Sequence, residues 1–426
     1  MLREVIVNLN KMTVYNDIMD HPLLQKAVYL IKPDKPLEVN DREVLEARLR
    51  HDMIAWQYER KLNGKPWKTL IAYLLWESEN VFSLAGEKGQ RLPAAILELA
   101  QRDLKNIWNL FHLHWQTISP ELNDFMNQEL IFPDFERSFT ARKRIKALNA
   151  FKIILNSDAV SEVEDLIAQV YRQYGCGLLA QNFAFHGEEE LIPIENPGVT
   201  PLDALIGYSY QKEVLRRNTR AFIERKQGNH ILLFGEKGTG KSTSVKALLH
   251  EFSSSSLRMI ELNPLRISHM RSIIDRIKGR GFLFILFIDD LSFEDNDTSY
   301  KELKSFMEGN LEAAPDNLLI YATSNRRNIV KENWADRAPE QGEVHVSDTY
   351  QEKLSLAERF GITLGYYSPD QEQYLDMVEK LAARHHIGMD RETLRALALQ
   401  WEKKYHGRSG RAAQQFIINL SAEKGG

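Results

Sequence analysis

The sequence has little cysteine and no long hydrophobic run. Cys176 is the only cysteine among 426 residues, which excludes an intrachain disulfide and a metal site built from several thiolates. The longest apolar run, residues 282–288, is too short to cross a bilayer. Residues 1–17 lack a basic stretch followed by an apolar core, so we expect no signal peptide. We therefore expect a cytoplasmic location and no membrane span.

Neither sign of charge is in large excess. The chain has 55 Lys and Arg against 59 Asp and Glu, a net charge of −4. This balance does not indicate nucleic-acid binding over the whole surface, although it leaves room for a local basic patch. Hydrophobic residues make up 43% of the chain and charged residues 27%, so sizeable cores can form and extensive disorder is excluded. The length is compatible with two to three domains.

Residues 1–190 are predicted to form a mainly helical domain. Leu45, Leu49, Met53 and Trp56 recur at helical spacing. Five of the seven tryptophans precede residue 116, and this concentration favours an aromatic core over an aromatic groove for a partner. We expect the domain to bind a partner or client whose nature the sequence does not reveal.

A basic cluster lies within this first domain. Its members are Arg137, Arg142, Lys143, Arg144 and Lys146. Charged residues on a helix commonly cover a solvated face, which is the interpretation that we favour. A binding site for an anionic partner is the alternative.

The rest of the chain changes character twice. Residues 187–201 are rich in Glu, Pro and Gly and are predicted to be a linker. Strand and helix patterns alternate within residues 191–367, which predicts an α/β domain with a parallel sheet covered on both faces. Residues 368–426 are predicted to form a helical lid. The expected strands are residues 231–234, 259–262, 282–288, 318–322 and 362–366.

The most informative run matches G-x-x-x-x-G-K-[ST] in full. It follows a short apolar strand pattern and precedes a helical one. In that context glycines let backbone N–H groups curl around a phosphate, and the helix N-terminus adds partial positive charge. We expect Lys241 to reach the β- and γ-phosphates of ATP and Ser242 to ligate Mg²⁺. The run comprises Gly235, Glu236, Lys237, Gly238, Thr239, Gly240, Lys241, Ser242 and Thr243.

A second strand pattern ends in two acids, Asp289 and Asp290. Ligands of open α/β sheets bind at the carboxyl ends of the strands. We expect Asp289 to hold Mg²⁺, directly or through water, and Asp290 to polarise the attacking water. Capping of a helix by the two acids is the alternative, and Glu294 is a second candidate for the base.

A third strand pattern ends in small polar residues, the last of which is Asn325. We expect Asn325 to lie between the glycine-rich run at 235–243, the P-loop, and the two acids, near the γ-phosphate. A side-chain amide at that point can orient the attacking water and respond to loss of the γ-phosphate. An asparagine that serves only a turn is the alternative.

The order of these runs resembles that of AAA+ P-loop ATPases. The similarity extends over about residues 198–426 and includes Ala322-Thr323-Ser324-Asn325, which resembles the superfamily's sensor 1. It also includes Leu-Ala-Glu-Arg-Phe at 356–360 and Gly-Arg-Ser-Gly-Arg at 407–411. More narrowly, residues 288–294 and 321–327 look like an uncharacterised bacterial family of predicted ATP-binding proteins, a domain of unknown function. The resemblance implies a parallel sheet, a helical lid and ATP as the ligand.

The resemblance also implies roles for two arginines. Arg359 resembles the arginine finger that reaches a neighbouring subunit's γ-phosphate, which implies a homo-oligomer. Arg326 and Arg327 are alternative fingers. Arg411 resembles the lid arginine of sensor 2, which contacts the nucleotide, and Arg408 is its alternative.

Residues 201–207 resemble the segment that packs near adenine, and Ile206 and Gly207 are its candidate binding residues. One departure concerns the acids, because AAA+ hydrolases usually carry Asp-Glu where this chain carries Asp289-Asp290. The shorter side chain must approach the same water more closely, which leaves the rate of hydrolysis open.

Two classes of function follow. In the first, ATP hydrolysis remodels or switches a bound macromolecule. The slight acidity favours a protein client, while the Asp-Asp pair favours a nucleic-acid loader or initiator. In the second, the protein is a nucleotide-gated binding module with little turnover.

Overall fold

A computed structural model describes most of the chain. The described residues are 7–32, 37–133, 135, 139–157, 163–198, 200–253, 256–293, 299–308, 315–325, 356–405 and 407–424. The chain divides into two compact units, one up to Phe183 and one from Ala184 onwards. No helix among the described residues combines the length and the apolar character that crossing a membrane requires.

The regular secondary structure of the first unit, where it is described, is helical apart from one isolated bridge between Gly64 and Leu130. Several of its helices begin with a recognisable cap: Asn80 and Ser83 form a reciprocal capping box, and Ser119 accepts the N–H of Leu122. Its helices are α1 (Pro22–Ile31), α2 (Val39–Arg60), α3 (Pro66–Glu77), α4 (Val81–Lys88), α5 (Ala94–Phe111), α6 (Pro120–Asn127), α7 (Phe139–Leu155), α8 (Val163–Tyr174) and α9 (Gly177–Gln181).

Aromatic side chains form much of the core of this unit. Trp67, Trp76 and Trp115 are among its largest fully buried side chains. Trp67 and Trp115 meet edge to face with ring centroids 4.9 Å apart, a geometry that adds to the burial energy. The predicted aromatic core is therefore confirmed.

The residues of the basic cluster differ in their solvent exposure. Arg142 and Lys146 are exposed, as a solvated face requires. Arg144 is buried, and its guanidinium donates to Asn182 Oδ1 at 2.8 Å. The prediction of a solvated face was wrong for Arg144, because a buried guanidinium needs fixed acceptors and finds them inside the unit. Arg137 lies outside the described residues.

The second unit contains a seven-stranded sheet of order β2-β1-β4-β5-β6-β3-β7. All neighbouring pairs are parallel except β1 with β2. The strands are β1 (Ala184–Gly187), β2 (Leu191–Pro193), β3 (Ile231–Gly235), β4 (Leu257–Leu262), β5 (Leu283–Ile288), β6 (Leu318–Ser324) and β7 (Ile362–Tyr366). Five of them lie where the sequence predicted strands.

The hairpin of β1 and β2 was not predicted. From the sequence, its residues are expected at the end of the helical domain and in a linker. The two strands are only four and three residues long. Glutamates and prolines are frequent among residues 187–201, which obscures the strand pattern. Pairing of β1 with β4, a contact that is distant in sequence, makes this segment part of the sheet.

Helices cover the sheet, and three more form a group at the end of the chain. Tyr374, Met377 and Val378 are buried in the core of this last group. The helices of the second unit are α10 (Ser209–Ile223), α11 (Lys241–Glu251), α12 (Met270–Ile277), α13 (Ser299–Glu308), α14 (Gln371–Arg384), α15 (Arg391–Tyr405) and α16 (Gly410–Lys424).

His230 fixes the start of β3 between its neighbours. Its Nδ1 accepts the N–H of Ile320 at 2.9 Å, and its carbonyl accepts the N–H of Ile362 at 3.2 Å. Burial lowers the pKa of His230 to about 4. The ring nitrogen can accept that hydrogen bond only while it is unprotonated.

We predict an acid-sensitive contribution of His230 to stability. Because the folded pKa lies below the unfolded value of about 6.5, the contribution is present above pH 6.5 and is lost as the pH falls towards 4. His230→Asn keeps an acceptor and does not titrate, so it should flatten the pH dependence of the free energy of unfolding by about 3 kcal/mol over this range. Urea titrations at several pH values measure this, with the exposed His250→Asn as control. An unchanged slope would contradict the prediction.

Candidate functional site

The loop from Gly235 to Gly240 joins β3 to α11 and depends on its glycines. Gly235 has φ +135°, and a Cβ built there would lie 1.9 Å from the carbonyl oxygen of Tyr366. The next residue, Glu236, donates its N–H to that same oxygen at 3.1 Å. A side chain at Gly235 would therefore push β7 away from the loop, which explains why the loop starts with glycine.

The same loop offers backbone donors to an anion. Gly238 and Gly240 have φ values of +78° and +94°. Within the described residues, neither of their N–H groups donates to the backbone. They lie at the N-terminus of α11, where the helix dipole is positive. Free N–H groups that curl around a helix start fit the phosphates of a nucleotide.

Lys241, the first residue of α11, is a buried cation beside the loop. It is 7% exposed, and its Nζ donates to the carbonyl oxygens of Gly235 at 2.8 Å and Glu236 at 2.7 Å, and to Asn325 Oδ1 at 3.2 Å. Burial lowers the pKa of the Lys241 ammonium, and the nearby Asp290 and other acids partly offset this effect. The side chain is thus held close to the loop that would receive a phosphate.

Asp289 lies just beyond β5, opposite the start of α11. Its Oδ1 accepts hydrogen bonds from Ser242 Oγ and from Thr323 Oγ1, both at 2.6 Å. One carboxylate and one hydroxyl oxygen in direct contact are hard oxygen donors of the type that Mg²⁺ prefers beside nucleotide phosphates. The pair expected to hold Mg²⁺ is therefore brought together, and its chemistry fits that cation.

Asp290 adopts an unusual backbone conformation. Its φ is +55°, in the left-handed region that costs a non-glycine residue roughly 1 kcal/mol or more. Its N–H donates to Thr323 Oγ1 at 2.9 Å, and its carboxylate accepts from the side-chain amide of Asn325. Asn325 therefore bridges Asp290 and Lys241, so the residues predicted from three separate strand ends lie in one hydrogen-bonded group.

A cleft of about 640 Å³ opens over this group. Ile206 lines one end together with Met377 and Leu381 of α14, which gives that end an apolar lining. Gly207 is not among the lining residues, and its φ of +84° and a distance of 2.9 Å from its built Cβ to Met377 Cε show that it lets the chain approach α14 closely.

The lid reaches the cleft through the start of α16. Arg411 lines the cleft, and its N–H donates to the carbonyl oxygen of Gly238 at 3.2 Å. Arg408 instead pairs with Glu402, with Nε and Oε1 2.8 Å apart. Of the two arginines weighed from the sequence, Arg411 is the one that lies beside the P-loop.

Arg359 lies elsewhere. It is exposed, in the turn before β7, and the described residues that line the cleft do not include it. The alternatives Arg326 and Arg327, and the second candidate base Glu294, fall outside the described residues.

Sequence reasoning missed three residues at the cleft. Thr323 contacts both acids, as given above. Lys212 donates to the carbonyl oxygen of Leu205 at 2.7 Å, and Arg384 of α14 donates to the carbonyl oxygens of Asp203, at 3.1 Å, and Ala204. Only Thr323 had a signal in the sequence, since it stands among the small polar residues that end a strand.

No curated protein matches the sequence. Among solved structures, the RuvB Holliday junction branch migration motor of Thermotoga maritima is 16% identical, with a TM-score of 0.37, over 53% of this chain and 66% of that one. The FIGL-1 AAA domain in complex with ADP is 18% identical, with a TM-score of 0.35, over 51% of this chain and 71% of that one. The chain therefore spans just under two thirds of the RuvB chain, and neither likeness carries a functional argument.

The predicted fold class is confirmed. It is an α/β fold with a mainly parallel sheet, a P-loop between β3 and α11 and a helical lid, preceded by a mainly helical N-terminal region. The family described as "Protein of unknown function (DUF815)" matches residues 179–424, more than half of the chain, and the chain belongs to that family.

Proposed function

We propose that the protein binds ATP with Mg²⁺ in this cleft and hydrolyses it to switch or remodel a bound macromolecular partner. The observation that carries the proposal is the hydrogen-bonded group of Lys241, Ser242, Asp289, Asp290 and Asn325 beneath a single cleft. A cation, a hydroxyl–carboxylate pair and a second carboxylate at a P-loop are the parts that phosphoryl transfer needs.

Each residue has a distinct task in this proposal. The ammonium of Lys241 turns from the carbonyl oxygens of the loop to the β- and γ-phosphates. Ser242 and Asp289 hold Mg²⁺, which supplies neutralisation of phosphate charge when bound. The amide of Asn325 orients the attacking water. Asp290 accepts a hydrogen bond from that water and polarises it.

A nucleotide-gated module with little turnover is the second candidate. It is favoured by the engagement of Asp290, whose carboxylate is already occupied by the amide of Asn325. The contact with Asn325 restricts which lone pairs of that carboxylate remain for a water. A protein partner remains favoured for either candidate because the chain carries a net charge of −4, and a nucleic acid is the alternative.

Two substitutions test the ATPase assignment. Lys241→Ala should weaken ATP binding roughly 30-fold or more, because a charge-assisted phosphate contact contributes about 2 kcal/mol. Asp290→Asn should keep binding and depress steady-state turnover, because an amide polarises water poorly. Calorimetry and phosphate release measure the two effects, and Lys226→Ala removes an exposed lysine as control.

The two candidates make different forecasts for the wild-type protein. ATP binding with negligible phosphate release would support the gated module. Unchanged ATP affinity in Lys241→Ala would remove the basis of both candidates.

Arg411 and Arg408 form a matched pair for the lid. Because Arg411 lines the cleft and Arg408 pairs with Glu402, Arg411→Ala should weaken ATP more than ADP. Arg408→Ala should leave that ratio near the wild-type value. Binding titrations with both nucleotides measure the ratio, and equal losses for ATP and ADP in Arg411→Ala would show that Arg411 has only a structural role.

We also propose that the protein acts as a homo-oligomer, in which Arg359 is the residue that reaches a neighbouring subunit. It is exposed beside β7, which forms an edge of the sheet next to the P-loop strand β3. A guanidinium at a subunit edge can reach the γ-phosphate of a neighbour, a role worth about 10³-fold or more in other phosphoryl-transfer proteins. A local ion pair with Glu358 is the alternative.

Mixing variants tests this role in trans. Arg359→Ala and Lys241→Ala subunits should each be inactive alone and should regain part of the turnover when mixed, since some sites then combine an intact P-loop with an intact Arg359. Co-purification through an affinity tag carried by only one of the two variants verifies that mixed assemblies form. Absence of any rescue in verified mixed assemblies would count against the shared site.

A further inference from the structure

Thr323, near the end of β6, lies next to the two acids that follow β5. The parallel register of β5 and β6 sets Ile288 beside Ala322, so the next residue on each strand, Asp289 and Thr323, emerges at the same edge. Thr323 is 2% exposed, and its hydroxyl therefore depends on these neighbours for its hydrogen bonds.

The hydroxyl of Thr323 contacts both acids at once. It donates to Asp289 Oδ1 at 2.6 Å and accepts the backbone N–H of Asp290 at 2.9 Å. The carbonyl oxygen of the same threonine accepts the N–H of Leu291 at 2.7 Å. The N–H groups of Asp290 and Leu291 thus both donate hydrogen bonds to Thr323 of β6.

These hydrogen bonds hold Asp290 in its left-handed conformation, with φ +55°. Such a conformation persists in a non-glycine residue only where the surroundings fix it. It determines where the short carboxylate of Asp290 points, and that carboxylate contacts Asn325.

We propose that Thr323 is a positioning residue that fixes the side chain of Asp289 and the backbone of Asp290 through a single hydroxyl. The inference rests on the proposed ATPase function and adds a residue to it. In an Asp-Asp pair the second carboxylate has one methylene less than glutamate, so its direction must come from the backbone. Thr323 supplies that direction.

Two variants separate the hydroxyl from the bulk of the side chain. Thr323→Val keeps the shape and the tendency to form a strand but loses both hydrogen bonds. Thr323→Ser keeps the hydroxyl. Thr219→Val is the matched control, since Thr219 is also fully buried and its hydroxyl bonds to Tyr321 Oη at 2.9 Å, outside the cleft.

In Thr323→Val we expect ADP affinity without Mg²⁺ to stay at the wild-type value. Turnover should fall about 10- to 100-fold, as for other residues that orient metal-binding or reacting groups. The Mg²⁺ concentration needed for half-maximal ATP binding should rise. Thr323→Ser should recover most of the loss, and Thr219→Val should behave like the wild type.

A readout without nucleotide tests the contact itself. Amide hydrogen exchange at Asp290 should be faster in Thr323→Val than in Thr323→Ser, because Asp290 loses its acceptor, whereas Leu291 keeps the backbone carbonyl oxygen to which it donates. Adding Thr323→Val to Asp290→Asn should lower turnover less than it does in the wild type, since part of its effect passes through Asp290.

The results distinguish this inference from the ATPase assignment. A wild-type protein that binds ATP without hydrolysing it would refute hydrolysis alone, and amide exchange and Mg²⁺ dependence would still test Thr323. Turnover, Mg²⁺ dependence and exchange at wild-type values in Thr323→Val would overturn the inference. A Thr323→Ser protein as impaired as Thr323→Val would also overturn it, because the methyl group and not the hydroxyl would then matter.

Discussion

The parallel alignment of β3, β5 and β6 is the constraint on which the cleft depends. In a parallel sheet the carboxyl ends of neighbouring strands meet at one edge, and β6 lies between β5 and β3. The P-loop after β3, the acids after β5 and Asn325 after β6 are therefore forced together. All six residues of β5 are buried, so a shift of that strand would expose apolar side chains and move both acids. The apolar core thus fixes the polar edge.

The polar groups at that edge are already paired with one another. Lys241 donates to two loop carbonyl oxygens and to Asn325, and Asn325 donates to Asp290. Because buried polar groups are costly when unpaired, these contacts stabilise the arrangement. A bound phosphate would exchange partners with Lys241 and thereby change the surroundings of Asn325. The same hydrogen bonds that hold the site together would thus change when a phosphate binds.

The parts of this structure that sequence could predict are those encoded by neighbouring residues. The P-loop needs glycine at fixed spacings, and the buried strands need unbroken apolar runs, so both were readable. The β1–β2 hairpin was not, because a short strand at a sheet edge depends on pairing with the distant β4. Arg144 was misjudged because its acceptor, Asn182, is 38 residues away. The choice between Arg408 and Arg411 depended likewise on a partner, Glu402, that spacing alone does not single out.

The contacts of Thr323 give the Asp-Asp pair a structural explanation that the motif alone does not supply. In the sequence, Asp290 stands where a glutamate is usual, and its side chain is one methylene shorter. The left-handed backbone at Asp290 redirects the carboxylate, and the hydroxyl of Thr323 fixes that backbone. A left-handed aspartate is less strained than most side chains would be there, because Asn and Asp are enriched in this region. A glutamate does not share this preference for the left-handed region and would be less suited to the same turn. The shorter acid and the unusual backbone are thus two halves of one arrangement, and the Asp-Asp pair is a consequence of how this strand end is built.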